Sequence, residues 1–320
     1  MVAQLTRVSG GAHRLAAGPV KPDYRVVGRA MTPAEAFRAV CAACVRHIEG
    51  NRHGALAAED PEYLHQMRVA LRRTRTALEV FADAVPEEVA STLQDDLRRL
   101  ARALGRARDW DVFVAATLEP ALSQRPRHPG LRALRAASES LGAEAHRAAQ
   151  RVLESRRYYG VMRALRALGY AEVSPGGKVR PLPMRVRASA VIAAMYAEAR
   201  RRGRKLMRLD DAELHRVRNA MRRLRYGLLF LAPLLPDARA SSLASTVETL
   251  QETLGELNDC AVARELLREA RAEARGPRRR KARKLLKKRI AAGRSARRTD
   301  LKAQWEAFRA AERWWAPRGA

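Results

Sequence analysis

The chain has 320 residues, with 63 Lys+Arg against 34 Asp+Glu and a formal net charge of +29. Its 47% hydrophobic content excludes a merely disordered basic tail, and three cysteines exclude an oxidised disulfide framework. The charge selects polyanions as a partner class (nucleic acid, an acidic membrane surface or an inorganic phosphate chain) without choosing among them.

Residues 1–30 read as a flexible basic tail that lacks the compact apolar stretch of a signal peptide. No apolar run approaches the roughly 20 residues that span a bilayer, so no membrane insertion is expected and the expected location is the cytoplasm. From Met31 onward the periodicity is helical almost throughout, and alternating strand patterns with tight turns are absent. The predicted class is all-α. The first predicted helix, residues 33–50, carries Cys41 and Cys44 on one face. A metal or redox pair with His47 is the chemical reading. Small residues in a core is the preferred one, since no second ligand pair has zinc spacing, and no metal or other cofactor is expected.

The second predicted helix, residues 61–84, opens with Asp60 as N-cap and Pro61 at the first helical position. The third covers 87–104, where Gly105 reads as a C-cap, and Asp109 suits the start of a fourth helix at 111–123. A role for Asp109 in orienting a nearby Arg or His stays open. Longer helices cover 130–155 and 158–168. The stretch VSPGGKVRPLP, residues 173–183, concentrates Pro and Gly and is the predicted linker. It separates a first helical bundle, 31–172, from a second, 184–316.

The second bundle repeats the first. LHQMRVALRRTR begins at Leu64 and LHRVRNAMRRLR at Leu214, 150 residues later. The same offset superposes His65 on His215, Arg68 on Arg218, Arg72 on Arg222, Arg73 on Arg223 and Arg75 on Arg225. It holds further, from Pro86 and Pro236 through Gly105 and Gly255 to Asp109 and Asp259, so the chain contains a duplicated unit. At about 100° per residue from His65, Arg68 falls near 300°, Arg72 near 340°, Arg75 near 280° and Arg73 near 80°. Met67, Leu71, Thr74, Leu78 and Phe81 form the adjoining apolar stripe. Each repeated helix therefore anchors in a bundle and presents guanidiniums in a row. The planar guanidinium fork donates two hydrogen bonds to phosphate oxygens, and a histidine in the row adds one or two more. A solvated face needs positive charge but does not need it in register twice, which favours ligand binding over simple solvation.

These paired motifs resemble the conserved histidine α-helical domain, CHAD. The segments LGRARDWDV from Leu104 and LGELNDCAV from Leu254 extend the resemblance, which covers about residues 31–316 as one domain. It implies two antiparallel helical bundles related by internal pseudo-twofold symmetry around a basic central groove or pore. It also implies binding of inorganic polyphosphate and, in some members, association with polyphosphate granules. By carry-over, His65, Arg68, Arg72, Arg73 and Arg75 would line the site with His215, Arg218, Arg222, Arg223 and Arg225. One departure is Asn258 where the first copy has Arg108. A second is that the Glu-x-Glu-x-Lys pattern of fused triphosphate-handling domains is absent from the chain.

Residues 264–298 hold 16 Lys+Arg and three acids. They read either as further polyanion contact or as helices with a solvated charged face around Leu285, Leu286 and Ile290. Arg200, Arg201, Arg202, Arg204 and Lys205 form another run at a predicted helix end, where cations complement the dipole. Trp305, Trp314 and Trp315 read as closing contacts, because aromatic residues at 5% of the chain are sparse for base stacking. The expected function is thus non-catalytic polyphosphate binding, with nonspecific nucleic-acid binding through the 264–298 run as the alternative. An enzyme is disfavoured, because there is no Walker-type loop and the repeated acids stand singly.

Overall fold

The computed structural model describes residues 18–170, 182–272 and 277–315, without the side chains at 237, 271, 272 and 277–279. Every regular element among the described residues is helical. In chain order these are α1 (Pro33–Ala57), α2 (Pro61–Val80), α3 (Glu87–Phe113), α4 (Glu119–Gln124) and α5 (Pro129–Leu153), followed by α6 (Arg156–Tyr170), α7 (Arg185–Arg202), α8 (Asp211–Leu231), α9 (Asp237–Ala272) and α10 (Pro277–Ala310). The 150-residue offset recurs in the elements: α2 and α8 each lead through one 3₁₀ turn, Ala82–Ala84 or Ala232–Leu234, into α3 and α9. Where the first half breaks between α5 and α6, the second runs on unbroken as α10.

Side-chain caps fix the helix starts that place the basic rows. Asp60 accepts a hydrogen bond from the Glu62 amide, and Asp210 forms a capping box with Glu213. The expected ends at Gly105 and Gly255 are not there. Gly105 lies inside α3 and Gly255 inside α9, so Asp109 and Asp259 do not start new helices. Helical propensity on both sides carries the helix through these glycines, and a side chain at either would meet its neighbours only at ordinary contact distance. A Cβ on Gly105 would stand 3.6 Å from the Arg68 guanidinium, and one on Gly255 would stand 3.9 Å from that of Arg218. The predicted fourth helix is instead the end of α3, a five-residue π turn (Val114–Leu118) and the short α4.

One continuous core joins both halves, with Met67 and Leu71 of α2, Leu97 and Leu104 of α3, and Met221 and Leu224 of α8 all fully buried. Each contributes about 1.5–3 kcal/mol by leaving water. The halves meet where α2 packs on α8, α3 on α9, and α5 on α9 and α10. Cys41 and Cys44 are core residues. Burial raises both thiols, Cys41 Sγ donates to the Leu165 carbonyl at 3.4 Å, and Gly169 of α6 lies against the Ala42 backbone. In the 264–298 run, Ala282, Leu286 and Ile290 are buried at every fourth position, while Lys281, Lys284, Lys287, Lys288 and Arg289 are exposed. This part of α10 is an amphipathic helix with a basic outer face. Most of the predicted linker, through residue 181, lies outside the described residues.

The tail differs from its expectation in residues 18–31, which form an extended strap; residues 1–17 lie outside the described residues. Asn51 grips the strap through both amide atoms, accepting from the Val20 amide at 3.0 Å and donating to its carbonyl at 2.9 Å. Lys21 pairs with Glu62 at 2.7 Å. Arg73 Nη2 donates to the Asp23 carbonyl, and its guanidinium lies 4.4 Å from the Tyr24 ring centre. The strap continues to the second half, where Arg29 donates to the Pro233 carbonyl at 3.3 Å and the Met31 carbonyl accepts from Met184 at 2.8 Å.

His47, 1% exposed, stands behind this lock. Its Nδ1 is 3.2 Å from Arg73 Nη1, which can only donate, so Nδ1 accepts and Nε2 carries the proton toward Gln66 Oε1 at 3.0 Å. Burial, followed by the charge of Arg73, lowers the imidazole pKa to about 4, against the hydrogen bond that it donates to Gln66, which raises it. The unfolded chain, with a histidine near pH 6.5, then binds the proton that the folded chain refuses. Stability is complete above pH 6.5 and falls as the pH drops toward 4, by about 3 kcal/mol for this residue. Urea titrations of wild type and His47→Gln between pH 7 and 4 check this. The variant is expected to lose much of the pH slope, and an unchanged slope would remove His47 as its source.

Candidate functional site at the crossing of two arginine rows

α2 and α8 bring their basic faces together. Arg68, Arg72, Arg218 and Arg222 form one like-charged cluster in which no helix supplies more than two members. Burial lowers the pKa of Arg68, and Arg72 and Arg218 lower it further; Asp109 acts the other way. Arg218 is depressed by burial and by Arg72, against Asp259 and Asp109. Arg222 falls well below the usual arginine value, through burial first and then Arg72 and Arg218. A cavity of about 110 Å³ opens in this cluster, lined by Arg72, Arg75, Thr76 and Glu79 of α2 and by Asn219, Arg222 and Arg223 of α8. The Nε atoms of Arg72 and Arg218 are buried without a hydrogen-bond partner. A buried donor left unmade costs about 1–3 kcal/mol, so these atoms stand ready for an acceptor.

Polar neighbours hold the rows at both ends. Arg68 Nη1 donates to the Gly105 carbonyl at 2.6 Å and pairs with Asp109 at 3.4 Å. The orienting role left open for Asp109 is therefore the one it plays. Arg75 Nε donates to Gln94 at 3.1 Å, Arg225 pairs with Glu248, and Arg222 donates to Asn219. Arg223 reaches across the halves to Glu79 at 3.4 Å. His65 lies beside Arg108, and its pKa drops to about 4 through burial, then Arg108, Arg72 and Arg68, with Glu62 opposing. It is neutral at pH 7, with one ring N–H to offer a ligand. His215 is exposed and bonds Asn258 Oδ1 at 2.8 Å, so the Arg108-to-Asn258 difference gives the two histidines different neighbours.

Six of the ten residues singled out by the repeat thus converge: Arg68, Arg72, Arg75, Arg218, Arg222 and Arg223. The histidines stand along the same rows, and Arg225 is held aside by Glu248. Arg73 does not join them. It is 0% exposed and faces His47, the strap and the Phe230 ring, 5.8 Å away. This corrects the expectation from the sequence that Arg73 lines the site: its repeat partner Arg223, at the same position on α8, does line the cavity, and the strap and His47 are what draw Arg73 away.

Glu79 was missed, although it lies four residues after Arg75 on the same stripe. Its counterpart in the second copy is Leu229, so the repeat concealed it. Burial raises its carboxyl pKa, against the pull of Arg223, Arg75, Arg222 and Arg98. Beyond the aspartates lies a second cavity of about 270 Å³, reached by Asp109, Asp259, Ile290 and, through the π turn, Ala116 and Thr117.

Residues 39–268 match the CHAD domain family. The chain belongs to the CHAD family. Among solved structures, this CHAD chain is similar to the CHAD domain from the plant Ricinus communis, with a TM-score of 0.76 and 28% identity over 92% of this chain and 98% of that one. It shares its fold with PptA from Streptomyces chartreusis, with a TM-score of 0.65 and 16% identity over 85% of this chain and 99% of that one. No curated protein matches it. No helix among its described residues is long and apolar enough to cross a membrane.

Crowding four guanidiniums costs the empty protein stability, and removing one relieves it. Arg222→Met is expected to raise the melting temperature by about 2 °C, the shift that a gain near 1 kcal/mol gives in a chain of this size. Differential scanning calorimetry at low salt measures it, and a fall of several degrees would contradict the repulsion.

Proposed function

We propose that this protein binds inorganic polyphosphate, without cleaving it, along the crossing of α2 and α8. The observation that carries this reading is the cavity into which two helices from different halves send Arg72, Arg75, Arg222 and Arg223, with the buried Nε atoms of Arg72 and Arg218 unpartnered beside it. A phosphate chain offers acceptor oxygens and a negative charge at every unit. It offsets the mutual repulsion of the arginines and satisfies donors that the fold leaves unmade. It has no bases, so shape and charge spacing suffice. The basic rows and the pseudo-twofold plan that the repeat implies give the chain a path through both halves. Family membership supports the same ligand, and granule association would follow from that affinity.

Polyphosphate retention measured over a salt series is the direct test. Arg72→Gln/Arg222→Gln is expected to weaken binding at least a hundredfold and to lower the slope of log K against log salt by about 1–2. Retention unchanged in this variant, or in Arg68→Ala/Arg218→Ala, would remove the site. Glu79→Gln is expected to tighten binding severalfold, because it releases Arg223 and removes the carboxylate from the cavity lining. Weaker binding in that variant would mean that Glu79 positions the arginines rather than competing with the ligand.

The exposed Lys and Arg of α10 favour a second reading, nonspecific nucleic-acid binding. Competition separates the two. Duplex DNA, about 20 Å wide, is excluded from a cavity of this size and is expected not to displace polyphosphate at equal phosphate concentration. As for cleavage, Asp109 is paired with Arg68 and Glu79 with Arg223, while Asp259 accepts from Asn258 within the field of Arg218. Phosphoryl transfer would need such acids to hold Mg²⁺. Orthophosphate release from pure protein with Mg²⁺, abolished by Asp109→Ala, would overturn the non-catalytic assignment.

A further inference from the structure

A second arginine-lined cavity lies away from the α2–α8 crossing and shares none of its arginines. It occupies about 510 Å³ between the C-terminal half of α7 and the end of the chain. Arg200, Arg201 and Arg204 line it from α7 and the turn after it, and Arg309 and Arg313 line it from the other side. Its walls also include Tyr196, Trp305 and Trp315. The sequence separates these two groups by about a hundred residues, and only the packing joins them. Trp305 sits so tightly on Gly203 that a Cβ there would come within 2.3 Å of its ring. The Tyr196 hydroxyl donates to the Phe308 carbonyl at 2.9 Å. The Trp315 ring stands edge-on to Tyr196, with centroids 5.2 Å apart, and Trp314 packs edge-on against Trp315 at 4.5 Å.

The charge balance here is one-sided. Among the described residues, none that lines the cleft is acidic. Glu198, the nearest acid on α7, is taken up by Arg201 and Arg202, and Glu312 is engaged by Arg239. Arg200, Arg204, Arg309 and Arg313 have no carboxylate partner among the described residues. Arg200 lies 5.8 Å from the Tyr196 ring centre, and the charges of Arg309 and Arg313 both reach the Tyr196 hydroxyl. The first copy has nothing equivalent. At the same offset, Arg200, Arg201 and Arg204 correspond to Gly50, Asn51 and Gly54. Those residues pack under Val20 of the strap and under Tyr63. The arginines are therefore an addition specific to the second half. A duplicated bundle does not require them.

We propose that this cleft binds a nucleoside phosphate, with the phosphates on Arg309, Arg313 and the α7 arginines and the base against Trp315. The volume falls in the range of small-ligand sites. The combination of aromatic surface with unpaired guanidiniums distinguishes the ligand from a bare phosphate chain, which has nothing to place against a ring. Trp315 is the ring that carries this distinction. Tyr196 and Trp305 are almost fully buried and build the wall, while Trp315 is only half-buried and keeps surface open to the cleft.

The experiment is calorimetric titration with ATP and, in parallel, with tripolyphosphate, which carries three phosphates and no base. Both run in the Arg72→Gln/Arg222→Gln background, so that the crossing does not contribute. ATP is expected to bind more tightly than tripolyphosphate. Trp315→Ala should weaken ATP about tenfold and leave tripolyphosphate unchanged, while Trp315→Phe retains most of the ATP affinity. Arg309→Gln/Arg313→Gln should weaken both ligands. Equal affinities for the two ligands, unmoved by Trp315→Ala, would overturn the assignment and leave a general anion patch. A single-stranded oligonucleotide that binds while ATP does not would overturn it in favour of a nucleic-acid strand. Polyphosphate retention by Trp315→Ala in the otherwise wild-type chain reports separately on the crossing, so the two sites fail or stand independently.

Discussion

The burial of like-charged guanidiniums at the crossing of α2 and α8 is the constraint around which the molecule is organised. Arg68, Arg72, Arg218 and Arg222 raise each other's electrostatic cost, and Coulomb repulsion at such separations is only weakly screened once water is displaced. A fold driven by stability alone would place apolar side chains there. The hydrophobic core that joins both halves offsets the expense, as do the surrounding acceptors: the Gly105 carbonyl, Asp109, Gln94 and Glu248. These partners occupy the ends of the rows and leave the middle, around Arg72 and Arg222, short of anions. The middle of the rows is thus built with an uncompensated positive charge.

The glycines show how backbone detail serves that arrangement. Gly105 and Gly255 lie within helices, where an alanine would be better by about 0.5–1 kcal/mol. A Cβ on either would meet Arg68 or Arg218 only at ordinary contact distance, so the support comes from the backbone and the acids one turn on: the Gly105 carbonyl accepts from Arg68, and the charges of Asp109 and Asp259 act on Arg68 and Arg218. In this way the two helices that follow the basic rows become their supports. The strap plays a related part for Arg73. An arginine with no exposure is accommodated because the Asp23 carbonyl, His47 Nδ1 and the Tyr24 ring each take a share of its charge.

The two copies have diverged in what surrounds the shared rows. His65 meets Arg108 and is held neutral, while His215 meets Asn258 in the open. Glu79 faces the cavity where the second copy carries Leu229. Arginines stand on α7 where α1 has the glycines and asparagine that seat the strap. The duplication therefore fixed a framework and a cationic line, and later substitutions gave each half its own polar neighbours.

The sequence by itself determined the helical class and the repeated motif, and it named the arginines that the fold brings together at the crossing of α2 and α8. A 3.6-residue periodicity and five cationic or imidazole positions in register are local facts that survive without coordinates. It placed Arg73 in the site with its repeat partner Arg223, although the strap and His47 hold Arg73 elsewhere. It misread Gly105 and Gly255 as helix ends, because a glycine that stops a helix and one that a helix runs through look alike in one dimension. It missed Glu79, whose partners come from the opposite half. The strap, and the meeting of Arg200 and Arg204 with Arg309, Arg313 and Trp315, were decided only in the tertiary structure. Contacts between segments tens to hundreds of residues apart depend on how helices pack, and no local pattern encodes that.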